Sequence, residues 1–421
     1  MNIAVVNPFD PLPGEAFRPG RYAALCRYLA EAGHEVTWYT STFWHEFKRP
    51  RDTGAVRAAA EALGYRVVFG QAPGYRRNVS PARLHDHAVL ARRLRRIWRE
   101  GDHRPDVVLA SLPPPGLARA AAEWADRVGA RLVVDVQDLW PETFRRFWPT
   151  GFGWLHPIVF AGTARAAREA YRRASAVTAA ARGYLDHARP FLAPGTPAEV
   201  LHLGVDLAAF DAGVAPLETF GLARPAGRKW VFLGGAVRSY IDVPGVAAMM
   251  AALGDRGRDD VDLVVVAPPP SDEPLRQEMA RRGLTNVLLL GYRPYDQYAS
   301  IAAACDAAVL PQRPEALVFF PNRVFDYLAA GLPVLNTAAG EVADVLAEHD
   351  AGLTCDAADP SAWADALERL LARDRPVDHR ARRGAWVEAF DRAAISRRFV
   401  ALLERVAAAR APDAPPREDL P

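Results

Sequence analysis

The stretch 313-RPEALVFFPNRVFDYLAAGLPVLNT-337 decides the fold. An irregular run rich in Pro and Phe gives way at Pro321-Asn322 to a short helix. Val324, Phe325, Leu328 and Ala329 share one face of that helix, and Gly331 stops it. An apolar strand, Pro333–Asn336, follows at once. Loop, helix start and strand are so close together that the loop belongs at the carboxyl edge of a parallel sheet. Open α/β sheets bind ligands there, and helix N-termini favour anions. One carboxylate, Asp326, falls about one turn into the helix, on the side opposite Val324 and Leu328.

Outward from this stretch the same alternation fills the chain. Upstream, strands read at Ile3–Asn7, Glu35–Tyr39, Tyr65–Phe69, Asp106–Ala110, Arg131–Asp135, Ala176–Ala180 and Glu199–His202. Helices fit between them, most clearly Arg21–Ala32, Pro81–Arg99, Leu117–Val128 and Ala161–Arg173. Residues 206–227 break the rhythm with Gly and Pro and read as a linker. Strands then resume at Trp230–Gly234, Asp262–Ala267, Val287–Gly291, Asp306–Leu310, Pro333–Asn336 and Gly352–Cys355, with a helix between each pair. The fold class predicted is α/β, with two Rossmann-like doubly wound domains, 1–205 and 228–391, facing across a cleft. A last helix, 392–409, has no strand after it and is expected to return to the first domain. The Pro-rich, acidic tail 410–421 is expected to be disordered.

A chain of 421 residues is too long for one ordinary core, which agrees with two domains. The formal charge of +2 gives no global reason to expect nucleic acid. No apolar run approaches the ~18 residues of a membrane span. The start, MNIAVVNPFD, has no basic n-region and reads as a first strand, so no secretory signal is expected. Cys26, Cys305 and Cys355 are scattered and odd in number, which fits reduced thiols in the cytoplasm. No Cys/His cluster has metal-ligand spacing, and neither a metal nor a cofactor is expected. Asp260-Val261-Asp262 opens a strand and reads as surface charge.

Several segments, taken in order, resemble the retaining GT-B glycosyltransferases of family 4. They are PGEAFRPGRY…LAEAGHEVTWYTSTFWH, DVQDLWPETF, LHLGVDLAAF, RRGLTNVLLLGYRPYDQYASIAAACDAAVLP and FPNRVFDYLAAGLPVLNTAAGE. The PNRVFDYLAAG version is similar to a bacterial subgroup that builds cell-surface polysaccharides or decorates small molecules. The resemblance implies a metal-independent enzyme that moves a sugar from a nucleotide-diphosphate sugar, UDP first, to an acceptor hydroxyl by front-face attack. The first domain would bind the acceptor and the second the donor. In the family's Glu-x7-Glu signature the second Glu binds the ribose hydroxyls, and Asp326 stands in its place. Val318 stands where the first Glu is expected. Donor-sugar contacts would then come from Phe319, Phe320, Pro321, Asn322 and the Val318 backbone, or from Glu315.

A departing diphosphate needs fixed positive groups, and Arg238 and Arg323 are the candidates. The Gly234-Gly235 turn would let backbone approach a phosphate. Pro13-Gly14-Glu15 occupies the place of the family's Gly-rich loop, so Gly14 would face the diphosphate and Glu15 lie near the reaction centre or merely cap the loop. On the acceptor side, Asp138 could orient or deprotonate a hydroxyl, or satisfy backbone amides. His45, beside Phe43 and Trp44, could meet a sugar ring or pack as an ordinary loop histidine. Arg76–Arg104 carries nine arginines against three carboxylates and reads as an amphipathic helix. It could dock on anionic lipid at the inner face of a membrane, or be a solvated helix face. Two other readings stand beside the transferase: a GT-B-fold UDP-sugar epimerase, and a non-catalytic nucleotide-sugar-binding subunit. No Gly-x-Gly-x-x-Gly follows a strand, which argues against a dinucleotide oxidoreductase.

Overall fold

The computed structural model describes residues 1–15, 20–147 and 151–409. The expected tail 410–421, and the AFRP of the PGEAFRPGRY segment, lie outside them. The chain divides into two compact units, Met1–Leu201 with the segment from Ile395 onward, and His202–Ala394.

The first unit runs β1 (Asn2–Val6), α1 (Arg21–Glu31), β2 (Glu35–Ser41), β3 (Phe43–Trp44), β4 (Arg49–Pro50), α2 (Thr53–Ala62), β5 (Arg66–Gly70) and α3 (Pro81–Glu100). It continues with β6 (Val107–Leu112), α4 (Pro115–Val128), β7 (Arg131–Val136), α5 (His156–Val159), α6 (Ala161–Arg173), β8 (Ala176–Ala179), α7 (Arg182–Ala188) and β9 (Ala198–Val200). Seven of these strands form one sheet in the order β5-β2-β1-β6-β7-β8-β9, every neighbouring pair parallel. The apolar runs of β1 and β6 are buried on both faces, as the central strands of a doubly wound sheet must be. The strand order turns around between β1 and β6, so the loops after these strands flank a topological switch point.

A polar knot sits inside this unit. Arg21 donates from Nε and Nη2 to both oxygens of the fully buried Asp135, at 3.0 and 2.9 Å. The Tyr22 and Thr178 hydroxyls donate to the same carboxylate at 2.7 and 2.6 Å. Burial alone would raise the Asp135 pKa, but the Arg21 charge and these donors hold it below the ordinary carboxylate value.

The second unit begins with α8 (Leu207–Gly213), inside the stretch read from sequence as a linker. Then come β10 (Lys229–Gly234), α9 (Val243–Asp255), β11 (Val261–Val266), α10 (Glu273–Arg281), β12 (Val287–Leu289), α11 (Tyr295–Ala304) and β13 (Ala307–Leu310). The unit closes with α12 (Asn322–Ala329), β14 (Val334–Asn336), α13 (Glu341–Glu348), β15 (Gly352–Thr354), α14 (Pro360–Leu371) and α15 (His379–Arg382). Its sheet is parallel throughout, in the order β12-β11-β10-β13-β14-β15. Here the order turns around between β10 and β13. The last helix, α16 (Arg392–Ala408), places Ile395, Phe399, Leu402, Leu403 and Val406 in the core of the first unit with Ile3, Val5, Leu25 and Trp38.

Among the described residues no helix is long and apolar enough to cross a membrane, and no group of three or more His, Cys, Asp or Glu is placed to hold a metal ion. Asp262 is not the surface charge expected of it. It is buried and ion-paired with Arg228, while Asp260 pairs with Arg258.

Candidate functional site

In the second unit the β10/β13 switch point brings together the turn after Gly234, the loop 311–321 and the start of α12. This helix is not amphipathic in the way the sequence implied. Arg323, Val324, Phe325, Asp326, Tyr327, Leu328 and Ala329 are all buried, and only Asn322 at its start is exposed. Asp326 therefore does not lie on a solvated side: it is 3% exposed and accepts from the Tyr295 hydroxyl at 3.2 Å. The reason is local, because α11 brings Tyr295 and Tyr298 against α12.

Arg323 is the notable group of the helix start. It is 7% exposed, and its Nη2 donates to the Ala236 carbonyl at 2.8 Å, tying α12 to the turn after β10. Its Nη1 is buried with no hydrogen-bond partner among the described residues. Burial works against its charge, but the oxygens of Tyr240, Tyr327 and Tyr298 around it more than restore the charged form. A desolvated guanidinium nitrogen without an acceptor is costly, and an anion placed beside it would remove that cost.

The Gly234-Gly235 turn behaves differently from the expectation that its backbone serves a phosphate. Gly234 N donates to the Tyr327 hydroxyl at 3.1 Å, and Gly235 N to the Val266 carbonyl at 2.9 Å. Both amides are thus used inside the unit. Two steric reasons still require glycine here. A Cβ on Gly234 would lie 2.3 Å from the Tyr298 hydroxyl oxygen, while Gly235 takes φ +84° with open space where its side chain would be. Arg238 is exposed in the same turn.

The loop before α12 is fixed mainly by Gln312. Its backbone N donates to Thr337 Oγ1 and its Nε2 to the Val318 carbonyl, each at 2.8 Å, while its buried Oε1 has no partner among the described residues. Val318, at the position of the absent Glu, thus contributes its carbonyl to holding the loop. Glu315 is exposed, Phe319 half-buried, and Pro321 and Phe320 buried. Phe320 stacks on Phe325 with ring centroids 4.9 Å apart and leans on His202. His202 Nε2 in turn donates to Glu341 Oε1 at 2.9 Å, at the first turn of α13. Gln312, Tyr295, Tyr298, His202 and Glu341 escaped the sequence reading. Only the Tyr-x-x-Tyr spacing of Tyr295 and Tyr298 offered a signal.

In the first unit, Gly14 takes φ +81° and a Cβ there would lie 3.2 Å from Ala59 Cβ, so glycine is needed for packing against α2. Glu15 closes its loop: Oε2 accepts from Leu12 N at 2.8 Å, and both oxygens meet Arg51 Nη1 at 2.7 and 2.6 Å. The two side chains are 4% and 0% exposed, and burial pushes the Glu15 pKa up and the Arg51 pKa down against their mutual attraction. Asp138 accepts from Leu139 N, Trp140 Nε1 and Thr143 Oγ1, at 2.8, 3.2 and 2.7 Å, and so organises its own turn. His45 Nδ1 pairs closely with the Tyr75 hydroxyl. Trp44 is buried, with the Arg49 and Arg51 guanidinium groups over its ring at 5.2 and 5.9 Å. The structure thus brings Arg323, Asp326 and the Gly234-Gly235 turn together, and holds Glu15, Asp138 and His45 each in local bonding.

Comparison with known proteins follows the division into two units. Residues 21–209 match the family model described as Glycosyltransferase Family 4. Residues 228–373 match that described as Glycosyl transferases group 1. A D-inositol 3-phosphate glycosyltransferase from Corynebacterium urealyticum is 38% identical over 88 residues, 21% of this chain and 20% of that protein's length. The chain therefore matches about a fifth of that curated relative. Among solved structures, sucrose-phosphate synthase from Thermosynechococcus elongatus is similar with a TM-score of 0.67 and 16% identity, covering 97% of this chain and 100% of that one. Anabaena Alr3699/HepE in complex with UDP gives a TM-score of 0.64 and 17% identity, covering 96% and 100%. WaaG, a glycosyltransferase involved in lipopolysaccharide biosynthesis, gives 0.62 and 17%, covering 96% and 98%. At these identities the likeness carries the fold.

Proposed function

We propose that the chain is a GT-B glycosyltransferase of family 4, a reading its two family-model matches support, and that it transfers a sugar from a nucleoside-diphosphate sugar, UDP first, to an acceptor hydroxyl with retention of configuration. The observation that carries this reading is the buried, incompletely paired Arg323 at the start of α12, beside Asp326 and the open Gly235 turn. Helix start and guanidinium together favour a diphosphate, and as the sugar–phosphate bond breaks they would stabilise the charge that accumulates on it. Asp326, one turn on, would accept from the ribose hydroxyls, and its burial strengthens such a bond. Exposed Arg238 would meet the diphosphate from the β10 turn. The leaving diphosphate would itself help take the acceptor proton, with no metal required. UDP is favoured because the structural neighbour from Anabaena is described with UDP bound. The exposed arginines of α3 would support contact with an anionic membrane surface.

Calorimetric titration with UDP, GDP and TDP, followed by turnover of the sugar conjugates of whichever binds, tests the reading. Asp326→Ala, checked for fold by circular dichroism, should weaken nucleotide binding by about tenfold or more, since a hydrogen bond to a charged group is worth ~1.5–3 kcal/mol. Asp326→Asn keeps an acceptor for Tyr295 and separates loss of charge from loss of packing. Undiminished nucleotide affinity in the folded Ala variant would remove Asp326 from the site.

A further inference from the structure

A second feature lies within the first unit. A cavity of about 800 Å³ opens beside the ends of β2 and β5 and the β3–β4 hairpin. Phe43, Phe69 and Tyr75 give it apolar walls, and Lys48, Arg57 and Arg76 bring cationic side chains to it. No Asp or Glu is among the described residues that line it. Arg51 also reaches it, but its charge is spent on Glu15. The nearby carboxylates are committed too: Asp52 caps α2 by accepting from Gly54 N and Ala55 N, and Asp86 accepts from Gly74 N at 2.6 Å. The molecule is close to neutral overall, so this local excess of positive charge is a property of the cavity.

The walls are preformed. Phe43 and Tyr75 pack with centroids 4.9 Å apart, and Gly74 makes room for them, because a Cβ there would lie 2.6 Å from the Phe43 ring. Lys48 takes φ +54°, a strained conformation for a residue other than glycine; its ammonium donates to the His45 carbonyl and lies 5.1 Å from the centroid of the Tyr75 ring. Arg57 lies over Phe69 at 5.4 Å. Arg57 and Arg76 are exposed and make no ion pair within the described residues. Aromatic walls and the exposed Arg57 and Arg76, with no carboxylate among the described lining residues, fit a ligand that carries a phosphate or diphosphate ester on a less polar body.

We propose that this cavity binds a phosphate- or diphosphate-bearing group through Lys48, Arg57 and Arg76. That the group belongs to the sugar acceptor rests on the transferase reading above; the binding itself does not. The group could come from a soluble sugar phosphate or from a lipid headgroup.

Hydrogen exchange on the full chain, resolved by peptide, tests this with inorganic pyrophosphate, with glucose 1-phosphate, and with phosphatidylcholine vesicles with or without phosphatidylglycerol. Protection is expected in peptides covering 42–57 and 69–76, weakening with added salt. In the surface variant Arg57→Gln/Arg76→Gln the apparent affinity should fall by about tenfold or more. Protection by pyrophosphate and glucose 1-phosphate assigns the site to soluble phosphates; protection only by phosphatidylglycerol vesicles assigns it to a lipid headgroup. No protection with any of them, or equal protection in the variant, overturns the proposal. UDP is added in a parallel series and read at β10 and α12. Loss of that response with the first unit's response intact rejects the nucleotide-sugar reading alone.

Discussion

An imidazole buried without a partner is held neutral, and His87 is such a group. It is 7% exposed, its Nε2 has no partner among the described residues, and Phe9, Tyr75 and Trp140 surround its ring. Burial, helped by the Arg83 charge, pushes its pKa down to about 3. The unfolded chain takes up a proton near pH 6.5, whereas the folded one does so only near 3. The unfolded state therefore binds more protons between these values, and stability is complete above about pH 6.5 and lost as pH falls through the window. At pH 5 this amounts to about 2 kcal/mol. Urea unfolding at pH 7 and pH 5 should show the wild type losing about that much more than His87→Gln, which cannot charge; equal losses would exclude the buried histidine as the cause. Little at this scale is legible in sequence. His45 stands out beside Phe43 and Trp44, yet its partner Tyr75 is thirty residues away in chain order. Glu15 could be suspected of capping its loop, but Arg51 as its counter-ion could not be foreseen.

Elements are more legible, because a helix stop or an apolar strand is written in adjacent residues. Gly331, read as the stop of its helix, and Gly33, which follows the end of α1, both take positive φ, +59° and +80°. Their surroundings differ. A Cβ on Gly33 would meet nothing within 4 Å, whereas one on Gly331 would lie 2.5 Å from Arg382 Cβ and 2.9 Å from the His379 carbonyl oxygen. Gly33→Ala should therefore cost about 1 kcal/mol from the left-handed backbone alone. Gly331→Ala should cost about 2 kcal/mol or more, the excess being overpacking against α15. Denaturant melts of the two variants check this, and equal costs would mean that α15 yields freely. The helices that sequence reading missed are weak in the signal it uses. In α2 only Val56 and Ala60 are buried, so no apolar stripe marks it, and α8 hides among the Gly and Pro of the supposed linker. At α12 the apolar spacing shows one face, Val324, Phe325, Leu328 and Ala329, whereas burial extends to Arg323, Asp326 and Tyr327, because the neighbours that cover them are remote in the chain.

Across the whole molecule, the two runs of alternating strands and helices made the two parallel sheets legible, and the unpaired last helix signalled its return. The sequence could not show how strongly α16 is built into the first unit's core, since that depends on partners nearly the full chain length away. Phe399 is 1% exposed and packs with residues of β1 and α1, and the Arg21 guanidinium lies 5.0 Å from its ring. Phe399→Ala should cost ~3–5 kcal/mol through lost burial and the cavity left behind. Contact is shared within each compact unit, so the loss should be felt in one of them. Hydrogen exchange on the variant should show faster exchange in peptides from β1, β2 and β6, which are nearly four hundred to three hundred residues earlier in the chain. Peptides from β10, β11 and β13, closer to residue 399 in sequence, should keep wild-type protection. Loosening of β10 and β13 at the same denaturant concentration would show that α16 stabilises the second unit as well, and that the chain unfolds as one cooperative body.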